Sequence, residues 1–308
     1  MLAGVPGSPA TAQEEAATVA PVPVFAPEVL RWTGRPTVEV IDDGRGSGEP
    51  GRLLELRPTV GRVQDHLVRS QRRVAALHDR RYVVQAYGYA DIALRHEVVA
   101  TSELGFTVRT SCTLPGSGSS AGFDRRVMDD ADERLDAVGQ ASPTVVATFD
   151  HRGYLVDEDV VPTGADGVCR AFRDAARPLP LPDVAVAPSA RWTVTVDATY
   201  LGLDVVARYD VVLDAVDGDR ALASTSVAVV AAEGALTWPA EVLEARAVPA
   251  LAPVPSAVGP AHGVVHLDLE APMAGIRSDE VEVHFESAPV AGGPFHLVDL
   301  ASIGVFAG

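Results

Sequence analysis

The chain has 308 residues, 47% of them hydrophobic, with 42 acidic residues against 25 basic ones and a formal net charge of −17. Its length and apolar content suit a large domain with a real core and exclude a disordered chain. The charge excludes nucleic acid and anionic membranes as partners, since phosphate binding needs a basic surface, and no run of about 18 apolar residues is present to span a bilayer.

All of the basic residues are Arg, with no Lys and no Asn, which points to a GC-rich coding sequence. Residues 1–36 are rich in Ala, Pro, Val and Glu without a sustained period and read as a flexible tail. They have no basic start and no apolar stretch, so as written they form no signal peptide and the protein reads as cytoplasmic. Leu2-Ala3-Gly4 is followed by Val5, where a lipidated Cys would stand in a lipoprotein leader.

From Thr37 onward a single β-rich domain is expected, with Pro-rich connectors near 178–190 and 249–260. "TVEVI" (Thr37 to Ile41) is a short strand, and "DDGRGSGEPG" is a glycine loop. Residues 52–77 and 81–100 read as long strands broken at Leu77 to Arg80, and "FTVRTSCTL" follows a break at Ser102 to Gly105. Long strands with short polar turns form an antiparallel meander.

Phe123, Val127, Ala131, Leu135 and Val138 recur at helical spacing, with the neighbouring acids mostly off that stripe. The acids therefore form a solvated helix face, not a calcium loop. "TVVATF" and "YLVDEDVV" are strands joined by Asp150-His151-Arg152-Gly153. Asp at the first position of a tight turn and Gly at the fourth satisfy the turn alone, so this reads as an exposed hairpin tip with no chemical role for His151.

A second helix fits Asp166 to Arg177, with Val168, Phe172 and Ala176 inward and Pro178 ending it. The meander resumes at Arg191, and Asp217-Gly218 marks a hairpin. "GVVHLDLEAPM" and "SDEVEVHFESA" supply closing strands, and the residues from Gly292 are less regular. Strands do not alternate with helices, so the expected class is α+β, mainly β: a large curved antiparallel sheet, half-barrel-like, with two helices gathered on one face.

Four phrases, in order, resemble a family of mainly actinobacterial exported proteins and lipoproteins of unknown function. They are "VEVIDDGRGSGEPGRLLELRPTVG", "ATFDHRGYLV", "LPLPDVAVAPSARWTVT" and "HGVVHLDLEAPM", and the resemblance spans roughly Thr37 to Ser287. The general pattern is also similar to the curved-sheet carriers of bacterial lipoproteins, which wrap helices around a lipid-sized cavity. The resemblance implies an exported or cell-envelope location and brings no catalytic residues.

Gly118-Ser119-Ser120-Ala121-Gly122 matches the nucleophile-elbow pattern, making Ser119 and Ser120 the catalytic candidates. The long Gly/Ser loop from Pro115 argues instead for a flexible connection. His266, Asp268 and His284 would be metal candidates if their strands pair, against a bland reading as solvated strand faces. No cofactor is implied, because the glycine loop lacks the Lys that grips phosphate. Cys112 and Cys169 either bridge in an oxidising compartment or stay as thiols in a reducing one.

The expected function is noncatalytic binding of a lipophilic ligand or a protein partner in a concavity between sheet and helices. Phe123, Val127, Leu135 and Phe172 are its candidate lining. The alternatives are a serine or metal-dependent enzyme and a surface scaffold.

Overall fold

The computed structural model describes residues 31–78, 81–121, 140–159, 165–177, 179–200, 203–233, 251–253, 261–273, 277–287 and 296–307. The first half of the chain supplies β1 (Arg31–Trp32), β2 (Thr37–Asp42), β3 (Val63–His78), β4 (Arg81–Ser102), β5 (Gly105–Ala121), β6 (Thr144–Asp150) and β7 (Leu155–Glu158). Helix α1 (Ala165–Ala176) follows. The second half supplies β8 (Arg191–Tyr200), β9 (Leu203–Asp217), β10 (Arg220–Glu233), β11 (Leu251–Pro253), β12 (Ala261–Asp268), β13 (Arg277–Ser287) and β14 (His296–Ala307).

The fold is α+β and mainly β, and its strands divide between two antiparallel sheets, neither closed into a barrel. One sheet has six strands in the order β1-β8-β9-β10-β12, with β2 also paired to β8. The other has eight, in the order β11-β13-β14-β3-β4-β5-β6-β7. Of the two expected helices, α1 lies where Asp166 to Arg177 placed it. The stripe from Phe123 to Val138 lies outside the described residues, although residues 140 and 141, just past it, are helical.

Parity explains the strands. In β8 and β9, Trp192, Val194, Val196 and Ala198 pair across to Val211, Tyr209, Ala207 and Val205, and all eight are buried. Their neighbours Arg191, Asp197, Asp204 and Arg208 point outward. On the outer face of the eight-stranded sheet, ion pairs sit at directly opposed positions, Arg69 with Asp91, Asp65 with Arg95 and Glu97 with Arg109. Cross-strand charges of opposite sign favour this register.

Four boundaries differ from the sequence reading. Residues 52–62 are not the start of a long strand but a strap whose backbone bonds go to three different places. Arg52 pairs with Val186, the Leu56 N–H donates to the His151 carbonyl, and the Arg57 N–H donates to the Leu269 carbonyl. Pro58, which lacks an N–H, and Gly61, at φ 83°, then turn the chain into β3.

The second difference is in β5, which does not end at Leu114 but continues to Ala121. Thr113 faces Ala93 and Gly116 faces Asp91, so Leu114 and Pro115 share a single opposing residue in a bulge. A bulge is where a strand tolerates a residue without an N–H. Third, the stretch after Gly292 contains the full strand β14, paired to β13 on one side and β3 on the other. Its Ala, Ser and Gly residues blur the alternation that would have revealed it. Fourth, Arg31 and Trp32, within the expected tail, already pair with β8.

Candidate functional site

The inner face of the eight-stranded sheet, the one toward α1, is built from the even positions of β3, β4 and β5. Val68, Ile92, Leu94 and Cys112 are buried there together with Val145 and Val305. From α1, Cys169, Phe172 and Ala176 pack into the same cluster. A disulfide joins Cys112 on β5 to Cys169 on α1, with Cα atoms 5.7 Å apart, so of the two alternatives open for these cysteines the structure has the bridge.

A polar seam runs beside this apolar cluster. His66 and Ser70 on β3, His96 on β4 and Thr110 on β5 are all buried on the inner face. His96 and Thr110 are opposed in register, and His96 Nδ1 lies 2.9 Å from Thr110 Oγ1. The His66 ring sits edge-on to His96 with centroids 5.2 Å apart. His96 Nε2 and Ser70 Oγ have no hydrogen-bond partner among the described residues. Burial first, and then the charges of His66 and Arg173, push the His96 imidazole well below its usual range, so it is neutral at pH 7.

Helix α1 brings the counterpart. Arg173 is fully buried and its Nη2 lies 2.6 Å from both Glu158 Oε1 and Asp174 Oδ1. Arg170 completes the network, with Nη2 2.8 Å from Glu158 Oε2. Burial works against the Arg173 charge, but Asp174 and Glu158 outweigh it and raise its pKa above the ordinary guanidinium value. At the helix end, the Arg177 guanidinium lies 3.6 Å from the centroid of the Trp32 ring, and Trp32 Nε1 donates to Tyr209 Oη at 3.3 Å. Helix α1 is thus fastened to one sheet by a bridge and an ion-pair network, and to the other by a cation–π contact.

The expected site residues fall as follows. Phe172 is 1% exposed and part of the packed cluster under α1. Phe123, Val127 and Leu135 lie outside the described residues. Ser119 and Ser120 are extended strand positions of β5, opposite Gly88 and Tyr87, and not the sharp strand-to-helix turn an elbow requires. His266 and Asp268 pair with Leu222 and Arg220 in the six-stranded sheet, whereas His284 pairs with Val298 in the other. Those strands do not pair, and no group of three metal-ligating side chains occurs among the described residues.

The turn reading of Asp150 to Gly153 holds in its bonding. Asp150 Oδ1 accepts the N–H groups of Arg152 and Tyr154, the Gly153 N–H donates to the Asp150 carbonyl, and Gly153 has φ 85°. Its exposure does not hold. His151 is half-buried under the strap, with Nδ1 2.7 Å from the Leu56 carbonyl oxygen, and Gly153 and Tyr154 are buried.

A surface cleft of about 290 Å³ lies between the strap and the β9–β10 turn, lined by Arg52, Glu55, Arg57, Asp219 and Glu270 among others. Its charges suit water better than an apolar ligand.

His66, His96, Thr110 and Arg173 were not among the sequence candidates. Parity carried the signal: in "DIALRHEVV", His96 falls on the Ile92, Leu94 and Val98 side, opposite Arg95 and Glu97.

No family model matches the chain, and no curated protein matches it. Among solved structures, an outer membrane channel from Pseudomonas putida F1 aligns at 12% identity over 84% of this chain and 99% of that one. Its TM-score of 0.15 carries no argument.

Proposed function

We propose that this protein is a noncatalytic binding protein of an oxidising compartment, holding a lipophilic ligand against the inner face of the eight-stranded sheet beside α1. One observation carries the reading, the mismatch between the helix and the strands beneath it. Helix α1 has 12 residues and spans about 18 Å. Strands β3, β4 and β5 have 16, 22 and 17 residues, and the longest reaches about 73 Å. The helix covers a fraction of that face.

Directly beneath α1 the space is filled by Phe172 and its neighbours, so the ligand belongs beside the helix on the same face. The outer face, crossed by paired charges, is the wrong surface for an apolar molecule. The Cys112–Cys169 bridge supports the compartment, because cytosolic thiols are kept reduced. The resemblance to exported proteins and lipoproteins points the same way.

The test is native mass spectrometry of protein exported by a bacterial host, before and after organic extraction. The expected result is an apolar adduct that extraction removes and that a fluorescent fatty-acyl probe replaces. Protein that carries no adduct and fails to bind the probe would overturn the lipophilic reading.

A further inference from the structure

We infer that the cleft between the strap and the β9–β10 turn is a binding site for a small zwitterion, an α-amino acid with an apolar side chain. Arg52 and Arg57 on the strap take its carboxylate, and Asp219 and Glu270 across the cleft take its ammonium. The inference does not rest on the lipophilic reading.

Backbone bonds between distant segments build the cleft. The Arg57 N–H donates to the Leu269 carbonyl at 2.6 Å, and the Leu269 N–H donates to the Asp219 carbonyl at 2.8 Å. Strap, turn and the residues after β12 thus meet at Leu269. At the start of the strap, Arg52 donates from Nη1 to the Gly218 carbonyl. Such bonds set the walls before a ligand arrives, which lowers the cost of binding. The volume of about 290 Å³ is near the lower limit for small-molecule sites, so it suits an amino acid and not a lipid.

The lining selects the charge pattern. Glu55 accepts from Arg57 Nε at 2.9 Å and from Nη2, which holds the guanidinium and leaves Nη1 without a partner among the described residues. Arg52 Nη2 lies 3.8 Å from Asp219 Oδ1, beyond hydrogen-bond range, so both groups keep capacity for a ligand. Glu270 is exposed, and its carboxylate has no ion pair among the described residues. Leu53, which is 44% exposed, and Leu269 are the apolar members of the lining. A simple anion would be opposed by Glu55, Asp219 and Glu270 and by the net charge of −17. A metal ion would find no group of three ligating side chains among the described residues. A zwitterion answers both signs and carries no net charge.

Ligand-detected NMR and calorimetry on the full chain test the site with free alanine, valine, leucine and methionine. At least one should bind saturably at concentrations up to about 10 mM. The matching amine without the carboxylate, and the matching acid without the ammonium, should each bind about tenfold more weakly, since each leaves charged groups of the lining unpaired. Glu270→Gln and Arg57→Gln change exposed groups, so near-UV circular dichroism should be unaltered while affinity falls about tenfold. That loss separates the cleft from any binding on the inner face. Failure of all four amino acids to bind would overturn the site. So would an amine or acid that binds as well as its amino acid, or full affinity retained in either variant.

Discussion

The two sheets bury their inner faces by different means. In the six-stranded sheet the described inward side chains of β8, β9 and β10 are apolar almost throughout, from Trp192 and Val211 to Val194 and Tyr209, with Thr225 the polar member among those described on β10. In the eight-stranded sheet the inward rows mix Val68, Ile92 and Leu94 with His66, Ser70, His96 and Thr110. The first needs only the hydrophobic effect and close packing. The second carries polar atoms that must find partners, and it recruits a helix, a disulfide and an ion-pair network to close over them. Specialised contacts therefore concentrate on one side of the molecule, while the other acts as a frame.

The largest effect expected to sharpen this contrast is loss of the bridge. The two cysteines are 57 positions apart, and on the chain-entropy model a loop of that size stabilises by about 4 kcal/mol. Urea melts of the Cys112→Ala/Cys169→Ala double variant should show that loss, with hydrogen exchange locating it first in α1. A loss of protection that begins in β8 and β9 would break the contrast. Next comes Arg173→Met, which leaves Glu158 and Asp174 beside α1 with Arg170 alone. Removing one member of a buried ion-pair network should cost about 3 kcal/mol in the same melts.

A matched pair of substitutions tests the contrast directly. Thr110→Val strips His96 Nδ1 of its partner and should cost about 1–3 kcal/mol. Thr225→Val, in the apolar sheet, removes a hydroxyl with no hydrogen bond among the described residues and should change stability by less than about 0.5 kcal/mol. Equal costs would show that the seam is nothing special. The smallest effect is His151→Ala, which loses the contact to the Leu56 carbonyl and should cost about 1 kcal/mol by thermal or urea unfolding.

The strand-rich class, the hairpins at Asp150 to Gly153 and at Asp217-Gly218, and helix α1 were legible because local chemistry determines them. Turn residues, alternation and an apolar stripe act within a few positions. What was not legible depends on distant partners. The strap at 52–62 looks extended because it is extended, but its bonds lead to Val186, His151 and Leu269 instead of a neighbouring strand. Strand β14 is specified by β3 and β13 on its two sides, not by its own small residues. The division into two sheets escaped for the same reason, and with it the placing of His266 and His284 on strands of different sheets.

The seam lay between these cases. The parity of His96 and Thr110 could be read, but the arrival of Arg173 from about 75 residues away could not, since nothing local to a strand announces which helix will lie across it.

The pairing of β3 with β14 also bears on how the molecule is made. Residues 66–76 bond to 297–307, so a strand from early in the chain waits for one synthesised after every other strand named here. All of the six-stranded sheet from β8 to β12 is translated in between. Contacts of such separation must close a very long loop before they give anything back, which slows folding and keeps early intermediates open-edged. Until β14 arrives, β3 offers an unpaired edge to any passing chain. A nascent molecule of this topology therefore carries that open edge long after its first hairpins have formed.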